Sequence, residues 1–369
     1  MKAAIFGAAG FLGQVLCRQL QAAGWEVLAY DAVAPGAAGD WSIFRPTGEI
    51  VMDDPVRKHG PVPLPPLSRT GVHFILHDVL RDEIALPCGI EAVYYLAQSP
   101  HYREFPEAVD HLFGVNTYGA IKAARAACAA GAGLFCYTST GNVYQPSLQP
   151  LDESSPVRRD DPYALSKLAA EEALQLLTAH LPVVSVRLFG LFGPGQQKML
   201  PVTLLRKLRA GEPIVLEPAG DWSIFRPTGE VCTDDSVRKH GPVPFSPAQS
   251  DADEPEGLTI SFSYVEDTAR CLMELAAHAR AGGVLPAVLN VAGAEPISLR
   301  RFAVTLGGIL GIEPRFERAP TCRSFNLIAD VARLQTLLHP VFVPFAAAMQ
   351  RSYGRGCGRP NVEKTAAPP

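Results

Sequence analysis

The chain begins with Met1-Lys2-Ala3-Ala4-Ile5-Phe6-Gly7-Ala8-Ala9-Gly10-Phe11-Leu12-Gly13, which predicts a strand, a tight turn and a helix in succession. The apolar run 2–6 is typical of a buried strand, and helical spacing of apolar residues continues over 11–23. A glycine-rich turn at such a junction lets backbone N–H groups approach a pyrophosphate, to which the helix N-terminus adds partial positive charge. Gly7, Gly10 and Gly13 therefore predict a phosphate-binding turn, with the spacing GxxGxxG instead of GxGxxG.

An acidic residue, Asp31, stands 18 positions beyond Gly13, at the end of the next predicted strand, 26–30. A carboxylate in this place accepts hydrogen bonds from the adenosine ribose hydroxyls and repels a 2′-phosphate. Asp31 thus favours NAD over NADP as the cofactor. The alternative is a solvated acid at a strand end.

Strand-like runs and helical patterns alternate along the chain. The apolar runs lie at 72–76, 92–96, 133–137, 183–189 and 288–291. The helical patterns cover roughly 106–130, 161–179, 264–279 and 298–310. Near-continuous apolar strands that alternate with helices indicate a parallel sheet covered on both faces. The sequence therefore predicts an α/β fold with a doubly wound parallel sheet.

A tyrosine and a lysine four residues apart, Tyr163 and Lys167, predict an acid–base site. On a helix these side chains share a face, so we expect the ammonium to lower the pKa of the phenol from its free value of about 10. Such a phenol can take the proton of a substrate hydroxyl as hydride leaves, and return it in reverse. Thr140, which ends the hydroxyl-rich run 137–140, could hydrogen-bond the same oxygen. The alternative is an exposed tyrosine and lysine on a solvated helix face.

These features together resemble the extended short-chain dehydrogenase/reductase family, the group of NAD-dependent sugar epimerases and dehydratases. The resemblance rests on Gly7 to Gly13, Asp31, His77-Asp78-Val79, Tyr94-Tyr95-Leu96-Ala97, Asn116, Thr138 to Tyr144, Tyr163 to Lys167, Arg187 to Gly195, Tyr264 to Arg270 and Asn290 to Gly293. It implies a Rossmann-type sheet with a smaller, interleaved C-terminal substrate lobe. The implied boundaries are 1–189 for the NAD-binding domain (with an excursion at 36–70), 190–260 and 294–353 for the substrate lobe, 264–293 for a return to the first domain, and 354–369 for a flexible tail.

The resemblance also implies roles for single residues. The implied catalytic residues are Thr140, Tyr163 and Lys167, together with Asn116, which would support a proton-relay water. The implied NAD-binding residues are Gly7, Gly10, Phe11, Leu12, Gly13, Asp31, Asp78 (at the adenine), Val79, Leu96, Ala97, Tyr163 and Lys167. The implied substrate-binding residues are Gln98, Thr140, Gly141, Asn142, Gly190 and Arg226. In this family the helices at 106–130 and 161–179 commonly pair across a homodimer.

Departures from the family pattern bear on the substrate. Sugar-nucleotide dehydratases carry an Asp-Glu pair directly after the catalytic threonine, where this chain has Gly141 and Asn142, so simple 4,6-dehydration is not expected. Many nucleotide-sugar members carry an asparagine that holds the substrate phosphates, where this chain has Gly190. Conversely, 220–226 resembles the family's GDGSxxR turn, in which the arginine binds the diphosphate. Arg226 could fill that role or point away from the site.

Two proline-rich segments, 39–66 and 220–247, are identical at 22 of 28 aligned positions. We expect both on surface excursions that either have no catalytic part or frame the substrate mouth, together or across a dimer. Each contains an Arg-Lys-His run, at 57–59 and 238–240, which could bind an anion or be a plain exposed loop. His101 could likewise reach the substrate or be a surface histidine.

Composition excludes several classes of protein. The net charge of −4 gives no reason to expect nucleic acid or an anionic membrane as a partner. The apolar stretches are too short to predict a membrane span. The eight cysteines lack metal-type spacing, so we predict no metal site and expect reduced thiols in a cytoplasmic protein.

The sequence as a whole predicts NAD-dependent oxidation and reduction of a secondary hydroxyl on a sugar or nucleotide sugar, as an epimerase. If hydride returns to the opposite face of the ketone, the product is the epimer and NAD is not consumed. The alternatives are a net dehydrogenase or reductase that acts on a non-nucleotide alcohol or ketone, and a non-catalytic dinucleotide-binding sensor. The presence of Thr140, Tyr163 and Lys167 argues against a sensor, which needs no proton relay.

Overall fold

The computed structural model of the chain describes residues 1–33, 71–219, 255–323 and 325–354. The strands are β1 (Lys2–Phe6), β2 (Glu26–Asp31), β3 (Gly71–Leu76), β4 (Ala92–Tyr95), β5 (Leu134–Thr140), β6 (Val183–Leu188), β7 (Gly190–Phe192), β8 (Ile214–Leu216), β9 (Thr259–Ile260), β10 (Phe262–Tyr264), β11 (Val288–Val291), β12 (Ile297–Ser298) and β13 (Phe316–Arg318). The α-helices are α1 (Phe11–Ala22), α2 (Val109–Phe113), α3 (Ala120–Ala129), α4 (Pro162–Gln175), α5 (Leu200–Ala210), α6 (Val265–Arg280), α7 (Leu299–Leu310), α8 (Ala332–Leu338) and α9 (Phe345–Tyr353).

Within the described residues, seven strands form one sheet in the order β11-β6-β5-β4-β1-β2-β3, and all neighbouring pairs are parallel. Apolar side chains cover both faces of this sheet. One cluster includes residues of α1 and α6, and the other includes residues of α3 and α4. The prediction of an α/β fold with a doubly wound parallel sheet is therefore confirmed.

The helix predicted over 106–130 is divided into α2, a π-helical turn (Gly114–Gly119) and α3. The phenols of Tyr95 and Tyr137 reach this turn from β4 and β5. They donate hydrogen bonds to the carbonyl oxygens of Val115 and Asn116, at 2.6 and 2.9 Å. Carbonyl groups that accept from a side chain are drawn out of the α-helical ladder, which explains the wider turn. The apolar pattern alone does not reveal it, because both phenols come from other elements.

A separate apolar cluster is formed by later parts of the chain and includes residues of α5, α7 and α9. At its centre the rings of Phe192, Phe302 and Phe345 contact one another, with centroids 5.7 to 5.9 Å apart. Short strands border it: β7 pairs with β10, β8 with β13, and β9 with β12. The chain returns to the large sheet between β10 and β12, because β11 pairs with β6. The domain boundaries given above stay a prediction.

Several predicted features lie outside the described residues. They are the two duplicated segments 39–66 and 220–247, the Arg-Lys-His runs within them, Arg226, and the tail beyond Gly354. Among the helices that the structure describes, none is both long and apolar enough to cross a bilayer.

Candidate active site

The glycine turn between β1 and α1 leaves no room for side chains. A Cβ atom on Gly7 would lie 2.6 Å from the amide nitrogen of Ala97, and one on Gly13 would lie 2.3 Å from the carbonyl oxygen of Gly7. Gly7 also has a φ of +85°, which favours glycine. Among the described residues, no side chain caps α1 at Gly10, so the first N–H groups of this helix can bind an anion. Phe11 and Leu12 form the start of the helix, with Leu12 buried.

Asp31 ends β2 directly beside this turn. Its carboxylate accepts hydrogen bonds from the N–H groups of Ala9 at 2.8 Å and Val33 at 3.0 Å. Burial raises the pKa of this carboxyl group, and the backbone hydrogen bonds oppose the shift. Each carboxylate oxygen accepts at more than one lone pair, so Asp31 can also bind hydroxyl groups.

Asp78 and Val79 follow β3 and lie at the same edge of the sheet as Asp31, because β2 and β3 are parallel. The carboxylate of Asp78 accepts the N–H of Leu80 at 2.9 Å and lies 3.4 Å from Nε of Arg81. Val79 is buried, and its carbonyl oxygen accepts a 3.0 Å hydrogen bond from Nζ of Lys122. The predicted contact of Asp78 with adenine stays a prediction.

The side chain of Tyr163 lies at the carboxyl ends of β4 and β5. Its hydroxyl donates a 3.0 Å hydrogen bond to Oε1 of Gln98, which follows β4. Its ring packs against that of Tyr102, with centroids 5.3 Å apart. The hydroxyl of Thr140, the last residue of β5, lies near enough to the phenol to lower its pKa. The structure thus brings together Tyr163, Thr140 and Gln98, which the sequence placed in one site, and adds Tyr102, which it did not.

The expected pKa of the Tyr163 phenol is wrong. Burial raises this pKa, and the neighbouring Tyr102 and Asp161 raise it further, whereas the hydroxyl of Thr140 lowers it. Lys167 does not produce the expected lowering. The physical reason is that desolvation favours the uncharged form of a phenol, and here this effect exceeds the attraction of an ammonium group that is itself desolvated.

Lys167 is buried, with 2% of its surface exposed. Its Nζ donates a 2.9 Å hydrogen bond to the carbonyl oxygen of Thr138 and lies 5.0 Å from the ring centre of Tyr137. Burial lowers the pKa of Lys167 to about 7, and the negative charge of Glu171 opposes the shift. The amine therefore titrates near neutral pH, one helical turn from Tyr163.

Asn116 lies fully buried in the π-helical turn and connects two parts of the site. Its side-chain oxygen accepts the N–H of Ser99 at 2.9 Å, and its amide group donates to Oγ of Ser166 at 3.0 Å. Ser166 in turn donates to the carbonyl oxygen of Tyr163. The main-chain carbonyl of Asn116 accepts the hydroxyl of Tyr137. Asn116 therefore ties the segment after β4 to α4, and its predicted role beside a relay water stays a prediction.

Arg187 and Glu171 form a buried ion pair next to Lys167, which the sequence alone did not predict. Arg187 in β6 holds the carboxylate of Glu171 through three hydrogen bonds of 2.7 to 3.3 Å, and the two side chains are 5% and 3% exposed. The guanidinium group also lies 4.7 Å from the ring centre of Tyr144. The spacing contained a signal, because Tyr163, Lys167 and Glu171 follow one another at intervals of four on one face of α4.

Two glycines on the substrate side are packed against aromatic rings. A Cβ atom on Gly141 would lie 2.9 Å from the ring of Phe189, and one on Gly190 would lie 2.7 Å from the ring of Phe262. Asn142 is exposed and donates its N–H to the hydroxyl oxygen of Thr140 at 3.2 Å. An acid at 141 or an asparagine at 190 would therefore require these phenylalanines to move.

His101 lies in the same segment as Gln98, but its contacts are with neighbours in that segment and in α2. Its Nδ1 lies 2.9 Å from Oε2 of Glu104, and its ring centre lies 4.9 Å from that of His111. These contacts agree with the alternative of a surface histidine.

Sequence comparison identifies relatives of this chain. The model of the NAD dependent epimerase/dehydratase family matches residues 3–223. The dTDP-D-glucose 4,6-dehydratase of Mus musculus is 38% identical over 146 residues, which are 37% of this chain and 39% of the dehydratase. The 2-alkyl-3-oxoalkanoate reductase of Stenotrophomonas maltophilia is 29% identical over 233 residues, which are 60% of this chain and 59% of the reductase. The chain thus spans less than two thirds of the length of either relative.

Solved structures with a similar fold include two that were determined with NAD. The UDP-glucuronic acid 4-epimerase of Bacillus cereus, in complex with UDP-glucuronic acid and NAD, matches with a TM-score of 0.66 at 20% identity, over 96% of this chain and 98% of the epimerase. MoeE5, in complex with UDP-glucose and NAD, matches with a TM-score of 0.64 at 21% identity, over 96% of this chain and 97% of MoeE5. At these identities the similarity establishes the fold.

Proposed function

The chain belongs to the NAD dependent epimerase/dehydratase family, and from this premise we propose that it oxidises and reduces a secondary hydroxyl of a sugar or nucleotide sugar, as an epimerase. One observation carries the proposal. The phenol of Tyr163 lies next to Gln98 and Thr140. Gln98 directly follows Ala97, and the glycine turn packs against the backbone of Ala97. A dinucleotide on that turn and an acid–base group for the hydroxyl would therefore lie at the same edge of the sheet.

The residues around the turn fit NAD. Gly7 and Gly13 keep the backbone free of side chains, the N-terminus of α1 offers N–H donors to a pyrophosphate, and Asp31 offers a carboxylate to ribose hydroxyls. The remaining cofactor contacts would come from Gly10, Phe11, Leu12, Asp78, Val79, Leu96, Ala97, Tyr163 and Lys167. When bound, NAD supplies the hydride acceptor for the carbon that bears the hydroxyl.

Tyr163 would carry the proton in both directions. Its raised pKa keeps the phenol protonated at neutral pH, the form that donates to a carbonyl oxygen during reduction. During oxidation the phenolate takes the substrate proton, and the hydroxyl of Thr140 favours that form. Lys167 has a pKa of about 7 and would exchange protons near neutral pH. Asn116 would hold α4 against the segment after β4.

Gly141 and Asn142 support epimerisation over dehydration. Elimination of water needs a general acid and a general base at the substrate carbons, and neither residue carries a titratable side chain. The ring of Phe189 occupies the space that a larger side chain at 141 would need. Together with Gln98, Thr140, Gly190 and Arg226, these two residues are the proposed substrate contacts.

A second candidate function is net NAD-dependent reduction or oxidation of a non-nucleotide alcohol or ketone. It is favoured by Gly190. The ring of Phe262 and a methyl group of Ile260 fill the space that the side chain of a phosphate-binding asparagine would need at this position. The relative from Stenotrophomonas maltophilia is named as a reductase of a 2-alkyl-3-oxoalkanoate, which is not a nucleotide sugar.

We further propose the assembly and setting of the protein. The substrate lobe would be built around the cluster that includes α5, α7 and α9. A homodimer through α3 and α4 is supported by Tyr118 and Leu176, which are 60% and 82% exposed next to those helices. A cytoplasmic location is supported by the cysteines that the structure describes, since all six carry free thiols.

The test begins with mass spectrometry of small molecules released from the purified protein, followed by incubation with UDP-glucose and UDP-glucuronic acid. An epimerase is expected to retain NAD and to convert one of these sugars to its C4 epimer without accumulation of NADH. Free exchange of NAD, with neither UDP-sugar converted or oxidised, would favour the second candidate. Protein that binds no dinucleotide would contradict both.

A further inference from the structure

We propose that Gln98 is a further catalytic residue, whose carboxamide stabilises both protonation states of Tyr163. The inference rests on the proposed function, in which Tyr163 is the acid–base group. In the structure Oε1 of Gln98 accepts the proton of the neutral phenol at 3.0 Å. Rotation of the amide group by half a turn presents Nε2 instead, and this N–H group donates to the phenolate. A carboxylate can serve only the first state, and an ammonium group only the second.

The position of Gln98 is fixed by the residues around it. Its neighbour Ser99 is fully buried, and the N–H of Ser99 is bound by the side chain of Asn116. The same side chain binds Ser166, in the first turns of the helix that carries Tyr163. One buried amide therefore sets the distance between the segment of Gln98 and the segment of Tyr163. The side chain of Gln98 itself is exposed, so it is free to rotate.

The surroundings of the phenol give the phenolate little other support. From the segment after β4, Tyr102 faces the phenol, and Asp161 lies at the N-terminus of α4; both raise its pKa. Tyr137 of β5 has a raised pKa, and burial lowers the pKa of Lys167 to about 7, which weakens its support for the phenolate. Beyond these, Arg103 stacks 5.2 Å from the ring centre of Tyr102, and His101 pairs with Glu104.

Thr140 would supply one hydrogen bond to the phenolate, because its oxygen accepts the N–H of Asn142 while its own proton can point towards the nearby phenol, whose pKa it lowers. A second donor from Gln98 would compensate for the unfavourable charge of Asp161. The deprotonated state of Tyr163 would then be accessible during each turnover, in spite of the burial that opposes it.

The proton balance of each step is simple. In reduction the O–H bond of Tyr163 breaks, its proton goes to the carbonyl oxygen of the substrate as hydride arrives from the reduced nicotinamide, and the amide of Gln98 rotates to donate. In oxidation the O–H and C–H bonds of the substrate alcohol break, the phenolate takes the proton, bound NAD would accept the hydride, and the amide rotates back. Gln98 neither gains nor loses a proton.

The first measurement follows the titration of the phenol directly. Tyr163→3,5-difluorotyrosine brings the titration into an accessible pH range and gives a ¹⁹F NMR signal, recorded with NAD present. In this background Gln98→Glu is expected to raise the pKa of the phenol by about one unit or more, and Gln98→Lys to lower it by a similar amount. A change below about 0.3 unit in both variants overturns the proposal, whatever the substrate is.

The second measurement separates a catalytic role from a structural one. With UDP-glucuronic acid as the probe, Gln98→Leu and Gln98→Glu are expected to lower kcat at least tenfold, with KM within threefold and Tm unchanged. Gln149→Leu removes another exposed glutamine and should leave kcat unaltered. A Gln98→Leu enzyme with kcat within twofold of wild type refutes the inference. If Tyr163→Phe retains turnover, the proposed function itself is wrong.

Discussion

The cofactor side and the substrate side of this site are built in different ways. On the cofactor side, the turn from Gly7 to Gly13 is shaped by its own backbone, because a Cβ on Gly13 would meet the carbonyl oxygen of Gly7 at 2.3 Å. On the substrate side, the space beside Gly190 is limited by the side chain of Phe262, which is 72 positions away in the chain. The first constraint is local in sequence, whereas the second exists only after the chain has folded.

Because of this difference, the cofactor side indicates only that a dinucleotide binds, whereas the substrate side determines which molecule reacts. A turn that binds phosphates through backbone N–H groups needs few side chains, so it can serve many reactions. The substrate side depends on which rings fill the space beside Gly141 and Gly190, so it determines which molecule is accepted. Tyr163 lies between the two sides, and loss of its hydroxyl should affect the reaction far more than the binding of the cofactor.

Tyr163→Phe provides the largest expected effect. The variant keeps the ring that packs on Tyr102 but removes the proton carrier, so turnover should fall by about 10³-fold. The amount of NAD retained by the purified protein should stay within about twofold. Tyr118→Phe changes an exposed tyrosine and serves as the control. Unchanged turnover in Tyr163→Phe would remove this residue from the mechanism.

Gly13→Ala tests the cofactor side by itself. The new methyl group would overlap the backbone of the turn, and relief of such overlap typically costs about 1–3 kcal/mol. We expect NAD affinity to fall by about 10- to 100-fold, measured by titration calorimetry. The matched control is Gly308→Ala, at a position where a Cβ meets no atom within 4 Å. Equal NAD affinities in the two variants would contradict the proposed phosphate-binding turn.

Much of the cofactor side could be predicted from the sequence. The apolar run, the three glycines and Asp31 lie within one strand–helix–strand unit, and the structure has them as neighbours, with Asp31 bound to the N–H of Ala9. The end of β5 at Thr140 and the helix that bears Tyr163 were also predictable, because periodicity and local hydroxyl content mark them.

The rest depends on contacts between distant segments. The π-helical turn requires phenols from β4 and β5, and the ion pair of Glu171 requires Arg187 from β6. The direction of the pKa shift of Tyr163 was wrong for the same reason, and the lowered pKa of Lys167 was not predicted. Burial of Tyr163 and Lys167 is a property of the assembled helix and sheet, and it outweighs the attraction that their spacing suggests.

Gly190→Ala tests the substrate side. The added methyl group would lie 2.7 Å from the ring of Phe262, so we expect a loss of about 1–3 kcal/mol in the free energy of unfolding. NAD retention should not change, in contrast to Gly13→Ala. The double variant with Phe262→Leu should recover part of the loss relative to Phe262→Leu alone, because the two residues are in contact. Additive losses in a urea denaturation series would show that the ring does not limit the space at 190.

The pH dependence of stability gives the smallest expected effect and concerns Lys167, which lies between the two sides. Its pKa is about 7 in the folded chain against 10.5 for the free group, so between these values the unfolded chain binds more protons. The free energy of unfolding should therefore rise with pH above about 7, by up to about 1.4 kcal/mol per pH unit from this residue. Below about pH 7 both the folded and the unfolded chain bind the proton, so the lysine destabilises the fold by its full amount. Lys167→Met should lack this contribution, so the difference between variant and wild type in urea denaturation should shrink steadily as the pH is raised from about 7 to about 9. A constant difference would mean that the amine stays protonated in the folded chain, in which case the attraction of Glu171 outweighs burial.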